Sequence, residues 1–81
     1  FPPVIRSLTR KLRELRAANA ARRWHVRLHG GAATSTDRLR HRAWLDASPA
    51  NREAYAAVDR AAERLDEARS LFTAAEIDRL L

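Results

Sequence analysis

The chain has 81 residues and a formal net charge of +6, from 16 Lys plus Arg against 10 Asp plus Glu, with no Cys and no Met. A folded chain this short buries only about 60% of its unfolded surface, too little to enclose a deep catalytic cavity beside a core, so a self-contained enzyme is not expected. The missing Cys exclude a disulfide framework, a thiolate zinc site and a Cys nucleophile, and no stretch approaches the roughly 18 consecutive apolar residues of a spanning helix.

After Pro2 and Pro3, the residues Ile5, Leu8, Leu12 and Leu15 recur at three- and four-residue spacing and predict an amphipathic helix over about 4–29. A second series, Ala17, Ala21, Trp24 and Leu28, has the same period but lies roughly 170° round the axis, at 100° per residue. Both stripes cannot face one core. Either the helix breaks near Asn19, or one long helix packs its Trp24 stripe inward and offers the Ile5 to Leu15 stripe to a partner, the arrangement we favour. Gly30 and Gly31 are a helix stop, because glycine takes the left-handed conformation that satisfies terminal carbonyls.

Thr34, Ser35 and Thr36 ahead of Asp37 are an N-terminal signal for a second helix over about 37–47, carrying Leu39, Ala43, Trp44 and Leu45. Ser48 followed by Pro49 starts a third helix over about 49–71, with Ala54, Tyr55, Val58, Ala62, Leu65 and Phe72 on one stripe. Thr73 and Glu76 match a capping box, and a last helix over 74–81 is expected to carry Ile77, Leu80 and Leu81. The fold class is therefore all-α, a small bundle of three to four helices in a single domain. The chain opens on Phe1 rather than Met, and a fragment of a longer protein is expected.

Chemistry-bearing candidates are few. His25 and His29 are four apart, the spacing that lets two imidazoles share a metal, but no Cys or nearby Glu completes the set and His41 lies on another element. No metal site, cofactor or catalytic residue is expected. The carboxylates of the third helix are spaced to pair with Arg60, Arg64 and Arg69 as solvated ion pairs.

Residues 1–42 carry 11 basic and 2 acidic side chains, whereas residues 43–81 carry 5 and 8. A basic front half suits an acidic partner surface, nucleic acid or anionic lipid. The second and third helices imitate a helix-turn-helix with Asn51 and Arg52 opening the recognition helix, but that helix then turns acidic through Asp59, Glu63, Asp66 and Glu67, which repel phosphate. A small basic nucleic-acid binder is the alternative reading; no direct nucleic-acid contact is expected. The short leucine stripe of the first helix has no aromatic anchor for a membrane surface.

The stretch Ala21 to Ala62 resembles the N-terminal cytoplasmic domain of FecR/PupR-type regulators, the anti-sigma factors of bacterial cell-surface signalling. The pattern is carried by Ala21, Trp24, Leu28, Gly31, Trp44, Leu45, Pro49, Asn51, Arg52, Ala54, Tyr55 and Val58. The chain departs from it at Ala32, where the family has an acidic residue, and at His41 and Ala62, where it often has an aromatic one. The resemblance implies a helical domain that binds and sequesters an extracytoplasmic-function sigma factor, and in some members helps activate it. It also implies a cytoplasmic location, no cofactor, and attachment to the membrane only through a segment beyond these residues.

Within that reading, Trp24, Leu28, Trp44, Leu45, Tyr55, Val58 and Leu65 are expected to form the core. The surplus apolar residues Ile5, Leu8, Leu12 and Leu15, and Phe72, Ile77, Leu80 and Leu81, are the expected contacts with sigma, with Arg6, Arg10 and Arg13 flanking the first set. The competing arrangement folds the last helix back onto the bundle and pairs the first stripe with itself in a homodimer.

Overall fold

Local signals set the helix boundaries. The computed structural model describes residues 3–81, and α1 runs Pro3–His29, α2 Ser35–Ala47 and α3 Pro49–Leu80, with no strand among the described residues. Gly31 adopts φ +83°, so the expected stop after α1 forms where only glycine is unstrained. Thr34 is the N-cap of α2: its hydroxyl accepts from the Asp37 amide, and its own amide donates to the Asp37 carboxylate, both at 3.1 Å. Ser48 closes α2 and caps α3, accepting from the Ala50 amide at 3.1 Å, with Pro49 in the first turn.

The long helices are parallel and offset. Arg16 and Ala17 line the same recess as Ala50 and Asn51, and His25 reaches Asp59, a register in which each α1 residue sits beside the α3 residue about 34 positions later. At 1.5 Å per residue, α1 and α3 are about 40 and 48 Å long and overlap over about 15 residues. That stagger accounts for a long dimension of 66 Å. It also gives a radius of gyration of 17.8 Å, well above the roughly 12 Å of a compact domain this size.

Packing is confined to the overlap. Ala17 and Ala21 are the buried apolar residues, and their small side chains let α1 approach α3 closely. Trp24, Leu28, Trp44, Leu45, Tyr55 and Val58 gather round them but remain half-buried. Leu65 departs from expectation: it is 61% exposed, because α1 ends at His29, level with about residue 63 of α3, and no helix remains to cover it. The α2–α3 corner is tied by side chains that reach back from α3. Asn51 Nδ2 donates to the Trp44 carbonyl at 2.9 Å, and Arg52 Nη1 donates to the Leu45 carbonyl at 2.8 Å.

Two further expectations are corrected. The break before residue 74 is absent; α3 continues through Thr73, whose hydroxyl donates to the Arg69 carbonyl at 2.9 Å instead of capping a new helix. In a solvated arm, continuing the helix satisfies every amide that a break would orphan. The last segment therefore extends away from the bundle rather than folding back. Arg60, Arg64 and Arg69 form no ion pair with the α3 carboxylates among the described residues, so these charges are solvated singly.

Candidate functional site

Three features outside the packing interface can engage other molecules: a groove between α1 and α2, a polar cluster between α1 and α3, and the two projecting arms.

The groove has a volume of about 840 Å³ and is walled by the indoles of Trp24 and Trp44, with Val26 beside them and Arg23, Arg27 and Arg40 round it. Asp37 lies in the wall, buried, with Arg27 Nε 2.9 Å from its Oδ1. The hydrogen bond from the Thr34 amide is the main reason its carboxyl sits below the usual carboxylate value, with the Arg27 guanidinium adding to it and burial opposing. The cap of α2 is thus also its bridge to α1. Cationic rims round apolar indoles suit an acidic, amphipathic segment of another protein. Both tryptophans, expected in the core, also present a face to this groove, which no local sequence pattern signals.

Behind the groove lies His41, at the position where the resembling pattern often has an aromatic residue. Its ring centroid is 4.4 Å from that of Tyr55, 5.3 Å from Trp24 and 6.1 Å from Trp44. It fills an aromatic slot at the junction of all three helices. Its Nε2 is buried without a hydrogen-bond partner, and burial pushes the imidazole below its ordinary value.

On the opposite edge, His25 and His29 stack with ring centroids 4.1 Å apart, and Asp59 of α3 comes to within 3.8 Å of His25 Nε2. The expectation that nothing completes this histidine pair considered only neighbours along the chain. The completing carboxylate arrives from the other long helix.

The arms carry the expected partner residues. Ile5, Leu8, Leu12 and Leu15 are all more than half exposed on the free N-terminal arm of α1, on the side of the helix opposite Ala17 and Ala21. Phe72, Ile77, Leu80 and Leu81 are exposed at the far end of α3, up to 98% for Leu81. These four do not form one surface, since continuity of α3 puts Phe72 about 140° round the axis from Ile77 and about 80° from Leu80. Phe72 instead shares a face with Leu65, seven residues earlier. The two arms lie at opposite ends of the molecule.

Residues 19–61 match the family described as Domain of unknown function (DUF4880), more than half of the chain. The chain belongs to the DUF4880 family. No curated protein and no solved structure matches it. In this DUF4880 domain the matched segment coincides with the packed overlap: the C-terminal half of α1, all of α2 and the first half of α3. The groove tryptophans, His41 and the Asn51 and Arg52 ties lie inside it, and both arms lie outside it. No helix among the described residues is long and apolar enough to cross a membrane.

Proposed function

We propose that this DUF4880 domain is the sigma-binding domain of a FecR/PupR-type regulator. It holds an extracytoplasmic-function sigma factor in the cytoplasm, in a longer protein that continues to a transmembrane helix and a periplasmic signalling region. The spaced pattern from Ala21 to Val58 supports the family assignment, and all of it falls within the packed unit. The observation that carries a binding role is the leucine stripe: four large apolar side chains face solvent on a helical arm that the rest of the chain leaves uncovered.

Magnitudes indicate how that stripe is used. Burying Ile5, Leu8, Leu12 and Leu15 fully contributes about 1.5–3 kcal/mol each, and half of that surface is already covered by the helix itself. Association costs on the order of 4–15 kcal/mol. The stripe alone therefore gives a weak complex, and stable sequestration needs a second contact. The groove between Trp24 and Trp44, with its arginine rim, is the nearer candidate; the α3 arm is the other. Arg6, Arg10 and Arg13 beside the stripe speed capture of an acidic partner.

The nucleic-acid alternative is disfavoured by a specific contact pattern. Asn51 and Arg52, the residues that would open a recognition helix, spend donors on the Trp44 and Leu45 carbonyls. Co-expression with candidate sigma factors, followed by size exclusion with light scattering in moderate salt, tests the proposal. A stable complex is expected. Failure with every candidate, together with salt-sensitive binding to a DNA duplex, would promote the helix-turn-helix reading.

A further inference from the structure

His25, His29 and Asp59 have the geometry of a ligand set. One donor atom from each lies within 4.8 Å of the others, and His25 Nε2 and Asp59 Oδ1 are already at 3.8 Å. Ligands about 2.1 Å from a tetrahedral zinc stand about 3.4 Å from one another. Closing the set thus takes side-chain rotation, with one imidazole turning out of the stack, and no movement of a helix. The two histidines project from successive turns of α1 on one face, and Asp59 approaches from α3 across the parallel interface.

The tautomer of His29 is fixed in the right sense. Its Nδ1 lies 2.9 Å from the His25 carbonyl oxygen, which can only accept, so Nδ1 donates and, in the neutral ring that binds metal, the lone pair is on Nε2. A backbone carbonyl on the far ring nitrogen is the outer contact that orients metal-bound imidazoles. The two imidazoles stack at an interplanar angle of 21°, so their in-plane lone pairs run nearly side by side, and one ring must rotate for both to reach the same ion. His29 and the half-exposed Asp59 leave the site open to solvent for metal entry and for a water in a fourth position.

We propose that His25, His29 and Asp59 bind one divalent transition-metal ion of the zinc class, which staples the last turns of α1 to the middle of α3. Two imidazoles and one carboxylate select zinc, nickel, cobalt or copper over magnesium and calcium, which prefer all-oxygen shells. Because the ligands come from two helices, they converge only in the folded chain, so binding adds to stability by mass action. The ion adds rigidity to the end of the overlap from which the α3 arm departs.

The test uses the tag-free 81-residue chain, stripped of metal with a chelator and titrated with zinc chloride by calorimetry, with thermal melts followed by circular dichroism. One zinc per chain and a rise in Tm that chelator reverses are expected, with no rise on magnesium. His29→Ala changes an exposed position and Asp59→Asn a half-exposed one; each should retain the helicity of the parent chain and lose at least tenfold in zinc affinity. Cobalt substitution gives an independent readout, an intense visible absorption band from a low-symmetry site that both variants lose. Absence of binding, or parent-like affinity in both variants, overturns the proposal.

Discussion

Arg27 on the last turn of α1 places its Nε 2.9 Å from Oδ1 of Asp37, the residue that completes the capping box of α2. One carboxylate therefore does two things at once: it accepts from the Thr34 amide at the start of its own helix and neutralises a guanidinium on another. Arg27 is largely exposed while the Asp37 side chain is 7% exposed, so the anion is the held partner and the cation reaches in from solvent.

The pH dependence of stability follows from that arrangement. The folded-state value of Asp37 is lowered, first by the Thr34 amide and further by Arg27, so its contribution is complete above the unfolded value of 3.8 and is lost as pH falls through the lower folded value. Thermal melts across this acid range should show a decline that Asp37→Asn flattens. The same variant should lower Tm at neutral pH more than Arg42→Ala, which breaks only a long, exposed pair.

His41 sets a second, higher window. Burial lowers its folded value, so folding favours the neutral ring. Stability is full above 6.5 and falls as pH drops below it through the folded value. Replacing His41 with Phe keeps the aromatic slot filled and removes a buried, unpartnered Nε2. His41→Phe should gain about 1 kcal/mol at neutral pH by denaturant titration, and should lose part of the decline between neutral pH and the acid window of Asp37.

Ala21 has no exposed surface, where α1 closes on the rest of the bundle. Ala21→Leu adds volume at a site with no exposed surface to receive it, and should cost about 1–3 kcal/mol in chemical denaturation.

The leucine stripe should behave in the opposite way. Leu8→Ala and Leu12→Ala together remove apolar surface that no other helix touches, and alanine is the better helix former. Helicity and Tm should be unchanged while affinity for sigma falls at least tenfold, measured by calorimetry. Unchanged affinity would remove this stripe from the binding account.

The stop after α1, the caps that open α2 and α3 and the two faces of α1 are legible in the chain by itself, because they rest on interactions between near neighbours. Thr34 with Asp37, Ser48 with Pro49, and Gly31 at positive φ act over at most three residues. The 170° separation of the Leu8 and Trp24 stripes follows from helical periodicity alone. Thr73 and Glu76 have the same local form as a working cap, yet no break occurs there, since a solvated helix gains nothing by exposing its amides. What only the tertiary structure decided is the stagger of α1 against α3. It uncovers Leu65, parts Phe72 from the end of the bundle, and brings Asp59 to His25 from 34 positions away. No local pattern encodes that offset. It is set by how closely Ala17 and Ala21 let two backbones approach, a property of the packed pair rather than of either helix.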